Sequence, residues 1–331
     1  MLLLEAAIKG TLEDSSTSAN FIEENVYNRI LFYIIRESHT WGVIEGTYMS
    51  VDRLTNNNKT TIDEVEPRKP ARRILEQEIA EGLTEIERST AGLLLSGLSA
   101  GLDLGFSIFL MAVMLTNAQG LLAEPVVEIL VAHMYTVGFI FVVIGRSELF
   151  TEHTTLAILP VLDRRASIGG LARLWGLVYI SNLIGGGIFA FLAAKVGPAL
   201  GVINPVVFGQ IAGDMVIHDA LVIFLSGLLA GWLMGLLSWL VTAGRDTISQ
   251  ILIVWLITSA IGFSHLHHSI AGTIEVLVGY FSNQGITLAN FGHFILWTTL
   301  GNSLGGVFFV AVIKYSHVIR SNPPSKDVKI E

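Results

Sequence analysis

Cysteine is absent from the 331-residue chain, which excludes disulfides, thiolate metal sites and cysteine nucleophiles. Charge is scarce. Asp, Glu, Lys and Arg make up 15% of the residues against 52% hydrophobic, too apolar a balance for an ordinary soluble domain. A cleavable signal peptide is not expected either, because the apolar run in MLLLEAAIKG is too short. The formal net charge of −8 matters less than where the charges fall.

Glycine is plentiful at 33 residues, as expected where membrane helices pack closely. Part of it lies in a repeat. LSGLSAGLDLG begins at Leu95 and LSGLLAGWLMG at Leu225, with seven of eleven positions identical. IGRSEL at Ile144 is echoed by IGFSHL at Ile261, and NLIGGGIF at Asn182 by NSLGGVFF at Asn302. Three echoes in one order indicate a duplicated block, a signature of transport folds with a site between the halves.

Residues 1–66 are polar and acidic apart from a short apolar stretch at 30–35, and are read as a cytoplasmic N-terminal extension. Over residues 67–90 a basic cluster (Arg68, Lys69, Arg72, Arg73) leads into Ile74, Leu75, Ile79, Leu83 and Ile86 at helical spacing. That pattern predicts an amphipathic helix before the membrane. The transmembrane domain is placed at 91–318 and a cytoplasmic tail at 319–331. Spans are expected near 91–116, 128–162, 171–196, 217–243, 247–281 and 290–318. A crossing takes about 20 residues. The second and fifth segments exceed that and are interrupted by RSELFTEH and SHLHHS, so each is expected to be two half-helices around an unwound stretch.

Arg164, Arg165, Arg173, Arg245, Arg320, Lys326 and Lys329 lie on one side of such a chain with the basic cluster, while the opposite loops are nearly free of Lys and Arg, Lys195 excepted. The positive-inside rule then puts both termini in the cytoplasm of a multi-pass protein of the cell (inner or plasma) membrane. Each repeat unit holds three spans, so the second enters from the opposite side. The fold class expected is an all-α polytopic membrane protein of two inverted three-helix repeats, with its second and fifth helices broken. Continuing the second echo without gaps brings Thr151 opposite His268 and Phe150 opposite His267.

Ionisable residues inside a membrane are costly and face an interior or a pathway. His265, His267 and His268 form the densest cluster. A histidine titrates near neutral pH and can lend a proton to a passing weak acid. Interhelical hydrogen bonding and metal ligation are the alternatives, although no nearby carboxylate completes a ligand set. Arg146, Glu148, Glu152 and His153 surround the first break and suggest an anchoring salt-bridge network, with Asp103 as a partner. Asn182 and Asn302 either brace the loops or face a pore.

SELFTEHTTLAI at Ser147, LARLWGLVYISNLIGG at Leu171, HSIAG at His268 and TTLGNSLGG at Thr298 together resemble the signature regions of the formate/nitrite transporter family, over residues 91–318. The resemblance implies an aquaporin-like protomer in a homopentamer within the lipid bilayer. It implies passage of small monovalent weak-acid anions (formate, nitrite, hydrosulfide or lactate) and protons, with no enzymatic activity, cofactor or nucleic-acid partner. By the match, Leu149, Phe150 and Thr151 form the loop beside the pore, His268 is the central histidine near Thr151, and Asn302 supports it. Passage is then pH-dependent through His268, between apolar constrictions at Phe150 and Phe139 on one side and Ile261 on the other. The chain departs from the family pattern at His267, where Glu is common, and at Gly231, where a pore-facing Asn is usual. It also lacks the span-four Lys, His218 being the closest basic residue. A non-conducting receptor or scaffold, and an intramembrane metalloprotein built on His265, His267 and His268, are the alternative functions.

Overall fold

A computed structural model of the protein describes residues 68–321, whose regular structure is helical throughout. The expectations for residues 1–66 and for the tail beyond 321 lie outside the described residues. In chain order the helices are α1 (Ala71–Glu87), α2 (Thr90–Ala118), α3 (Glu124–Ile144), α4 (Phe150–Leu156), α5 (Leu159–Leu162), α6 (Ile168–Ala199) and α7 (Pro205–Val216). There follow α8 (Ala220–Ala243), α9 (Thr247–Phe263), α10 (Ser269–Phe281) and α11 (Leu288–Leu304). A π-helical turn at Gly305–Val312 joins α11 to α12 (Ile313–Ser321). Helices α2, α3, α6, α8 and the continuous Leu288–Ser321 stretch are each long and apolar enough to cross a membrane. The second and fifth expected segments are broken as foreseen, into α3 with α4 and α9 with α10. Helix α7, which starts at Asn204–Pro205, and the π turn were not among the expected elements.

Local chemistry sets the helix starts. Ser89, Ser167, Asn204, Asp219, Asp246 and Thr287 each stand at an N-cap and accept a backbone N–H from the first turn. Arg173 near the start of α6 donates to the carbonyls of Ile86 and Arg88 and to Thr90 Oγ1, holding the α1–α2 junction.

The repeat explains the close packing. A Cβ added to Gly101 on α2 would lie 2.3 Å from the Asn182 carbonyl oxygen of α6, and one on Gly185 would lie 2.3 Å from that of Leu98. In the second copy, a Cβ on Gly231 of α8 would lie 2.1 Å from the Asn302 carbonyl oxygen, and one on Gly301 would lie 2.3 Å from that of Phe224. The LSG echo and the Asn–Gly echo are therefore two faces of one backbone-to-backbone contact, used twice. The outward faces stay apolar and exposed, including Ile180, Ile184 and Ile188 on α6 and Leu221, Leu225 and Leu229 on α8, as lipid or subunit contact requires.

Helix α1 buries one apolar face. Ile74, Leu75 and Ile79 pack against Leu159, Trp239, Ala311 and Val318, while Leu83 and Ile86 are half-buried. Lys69 fastens its start to α8 by donating to the Thr242 and Gly244 carbonyls at 2.5 and 3.2 Å. Glu78 is fully buried in this contact and accepts from Ser238 Oγ at 3.1 Å and Thr242 Oγ1 at 2.6 Å. Burial outweighs those bonds and pushes its carboxyl up from 4.5 to about 7. Between those values the folded chain holds more protons than the unfolded one. Stability therefore falls as pH rises through the window and stays low above it, a loss of about 3 kcal/mol. Glu78→Gln should flatten the thermal midpoint between pH 5 and 7 and raise it at pH 8. An equal slope in both proteins would count against the assignment.

Candidate functional site

Both broken crossings are built alike. Two residues beyond the end of α3 stands Arg146 at φ 59°, and two beyond α9 stands His265 at φ 49°, left-handed residues that turn the chain before the next half-helix. After each turn a serine from the LSG motif accepts a loop N–H: Ser96 Oγ from Glu148 at 3.1 Å, and Ser226 Oγ from His267 at 3.0 Å. An asparagine then clamps the loop. Asn182 Oδ1 accepts from Phe150 N at 2.9 Å, and its Nδ2 donates to the Gly97 and Glu148 carbonyls at 2.8 and 2.9 Å. Asn302 accepts from Ser269 N at 2.8 Å and donates to the Gly227 and His267 carbonyls at 2.7 and 2.9 Å. Both amide hydrogens and the carbonyl oxygen of each side chain are engaged by helix and loop.

These bonds correct the register expected from the sequence. Glu148 corresponds to His267, Leu149 to His268 and Phe150 to Ser269, two residues away from the gap-free alignment. The IG dipeptides misled because they serve different purposes. Gly145 caps the end of α3, whereas Gly262 lies inside α9, where a Cβ would sit 3.1 Å from the Tyr135 side chain. The expected partners nonetheless meet across the two loops, with Thr151 Oγ1 2.8 Å from His268 Nε2.

His268 is the N-cap of α10, and its Nδ1 accepts from Ala271 N at 3.1 Å. A nitrogen that accepts a backbone N–H carries no proton, so the neutral ring holds its proton on Nε2, which donates to Thr151. The Phe139 ring stands edge-on to the imidazole, centroids 5.2 Å apart. Phe139, Leu149, Thr151, Ile261 and His268 are all buried. Phe150 turns its ring to α6, 4.7 Å from Tyr179 and 6.2 Å from Trp175.

The three histidines do not converge. His267 Nδ1 lies 2.8 Å from Ser226 Oγ with the His218 ring 5.8 Å away, while His265 lines a separate cavity. With both ring nitrogens of His268 engaged, binding a metal there would break either the cap or the Thr151 bond. Among the described residues, one trio brings ligand-type atoms within 4.8 Å of one another: Glu85, Glu148 and His153. Its donors already serve Arg88, which bonds Glu85 at 2.8 Å and also contacts Glu148, the carboxylate that His153 touches. An anchoring network stands at the first break as expected, with two corrections: among the described residues Glu152 makes no ion pair in it, and the partner of Arg146 differs. Arg146 pairs with Glu81 of α1 at 3.2 Å, not with Asp103, whose carboxylate accepts from Ser99 at 3.1 Å. Arg88 was missed because nothing in its neighbourhood signals a partner 60 residues away.

Two cavities flank the buried centre. One, of about 460 Å³, is lined by Lys69, Glu81, Glu85, Arg88, Arg146, Glu148, Glu152 and His153 among others. The other, of about 190 Å³, is lined by Glu124, Glu128, Tyr135, Gln210, Asp214, Ile261, His265 and Glu275 among others. Helix α3 relates them: Tyr135 lines the smaller and Val143 the larger, with Phe139 one turn from each. The Gly231 position does not open a gap here, since it is filled by the backbone of Asn302. Glu275 and Asp214 escaped the sequence reading. A lone carboxylate inside the apolar SIAGTIEVLVGYF was the available signal for Glu275.

The sequence model of the family described as formate/nitrite transporter matches residues 72–316. Inner membrane protein YfdC of Escherichia coli K12 is 31% identical over 263 residues, covering 78% of this chain and 83% of that protein. A solved structure described as an FNT family ion channel superposes with a TM-score of 0.67 at 26% identity, covering 74% of this chain and 99% of its own. A second, described as a pentameric formate channel with formate bound, does so with a TM-score of 0.60 at 25% identity, covering 70% and 98%.

Proposed function

The chain belongs to the formate/nitrite transporter family, and from that premise we propose that it passes small monovalent weak-acid anions across the cell membrane, with His268 as the pH-sensitive centre. The observation that carries this reading is the Thr151–His268 bond, which joins the two broken crossings at a buried point between two cavities. Counting α3 with α4 and α9 with α10 as single crossings gives six spans in two inverted repeats. The matching Asn182 and Asn302 clamps support that symmetry. The arginines between and after the spans put both termini in the cytoplasm. Likeness to a pentameric channel and the apolar outer faces support a homopentamer.

The anion arrives at an apolar constriction formed by Phe139 and Ile261, where an unpaired charge is expensive. Leu149 is buried in the loop beside it, while the Phe150 ring, expected at the constriction, packs on α6 instead. Nε2–H of His268 is the donor it meets, taking the place of Thr151 as acceptor. Proton transfer to the anion requires the imidazolium, and protonating Nδ1 costs the ring its cap on Ala271. Acid conditions therefore favour passage as the neutral acid, so flux rises as pH falls. Glu148 and His265 line the approaches, His267 packs behind the loop on Ser226, and Asn182 and Asn302 hold the loops in place.

In proteoliposomes, formate or nitrite flux through the wild-type protein should climb from pH 8 to pH 5. His268→Ala should remove that climb, beyond the trend set by the free acid crossing protein-free vesicles. A retained pH profile in the variant would sink the proposal.

A further inference from the structure

We propose that the smaller cavity binds a small protonated amine, its ammonium group at Glu275 and its alkyl part on the apolar wall. Glu275 lies in the middle of α10, is only 5% exposed and faces this cavity. Among the described residues it makes no hydrogen bond and no ion pair. A carboxylate so deeply enclosed needs a partner, and the cavity offers it no Lys or Arg. The other ionisable groups lining the cavity are Asp214 of α7, Glu124 and Glu128 of α3, and His265 of the α9–α10 loop. A cation bound here would pair with Glu275 and offset the acidic lining.

The cavity's form narrows the kind of cation. Its carboxylates are not among the groups whose ligand atoms lie within 4.8 Å of one another, so they do not form the inner shell of one metal ion. Apart from Gln119 and Gln210 the rest of the wall is largely apolar, including Met111, Leu115, Val131, Ile211 and Met215, with the aromatic Tyr135. A cavity that combines apolar wall with carboxylates suits an amphipathic organic cation better than a hydrated ion. A cavity of about 150 Å³ is enough to hold benzene, so the about 190 Å³ here has room for an alkylammonium of a few carbons. Tyr135 adds a ring of the kind that attracts ammonium groups. The inference rests on this cavity alone and does not depend on which anion the central path passes.

Calorimetric titration of the purified full chain in nanodiscs, at fixed pH and ionic strength and with no anion gradient, tests it. Butylammonium should bind saturably, and Glu275→Gln should weaken binding at least tenfold while leaving the melting temperature unchanged. Asp214→Asn, on a different helix, should weaken it several-fold and serves should the first variant misfold. Methylammonium, sodium and butyrate should compete poorly. Equal affinity in wild type and both variants, displacement by sodium at the butylammonium concentration, or no heat of binding at all would overturn the proposal. None of these results bears on the pH profile of anion flux, so the two readings fail separately.

Discussion

Asn302→Ala should lower the thermal midpoint of the detergent-solubilised protein by roughly 10 °C, the shift expected for a few kcal/mol in a chain of this size. One side chain satisfies three backbone groups at once: the Ser269 N–H and the Gly227 and His267 carbonyls, at 2.7 to 2.9 Å. Alanine strands the Ser269 N–H and the His267 carbonyl, while the Gly227 carbonyl, inside α8, keeps its helical bond; the cost is about 1–3 kcal/mol for each group left unsatisfied. The loop so released carries His268, so anion flux should be lost along with stability. Asn302→Asp separates the causes, since it keeps volume and acceptor but removes both donated bonds. Size-exclusion thermostability profiles of the three proteins decide the matter. A drop of less than about 2 °C for alanine would mean that the clamp is not needed, because a loss of even 1 kcal/mol moves the midpoint about that far.

Gly231→Asn should abolish recovery of monodisperse protein altogether. Asparagine is what the family resemblance leads one to expect at this position, so the change looks like a restoration. Its Cβ, however, would stand 2.1 Å from the Asn302 carbonyl oxygen and 2.6 Å from the Asn302 Cα. These are main-chain atoms of a helix pinned by its own clamp, and neither can retreat without parting α8 from α11. Gly176→Asn on α6 is the matched control, because a Cβ there meets nothing within 4 Å. Comparable yields of folded protein from the two variants would show that the α8–α11 contact yields more easily than its geometry implies.

Much of this architecture was legible in the residues. The broken crossings could be read because RSELFTEH and SHLHHS put polar groups where an unbroken helix would bury them without partners. The glycine echoes could be read because close helix approach leaves no other residue type free. The Thr151–His268 contact emerged from an alignment two residues out of register, since both residues sit at the junction of the loops whichever way these are aligned. Gly145 and Gly262 show why the register was hidden, as identical dipeptides were retained for unlike reasons. The Arg88–Glu148 contact was out of reach because an ion pair between distant segments leaves no periodic trace. Glu275 was visible but was passed over beside three histidines, and only the cavity in front of it shows that it lacks a partner.

The π turn at Gly305–Val312 carries one more implication. Upstream, the buried positions of the last membrane helix follow at a step of four, from Gly301 and Asn302 to Gly305 and Gly306. Across the turn the step is five, to Val310 and Ala311, and the buried line then continues to Val318 against α1. One extra residue in a turn re-phases everything beyond it by roughly 100°. The helix thus behaves as a shaft with a built-in offset. Its first half is keyed to the Asn302 clamp and its second to the α1 clasp, two bearings that a straight α-helix could not serve together.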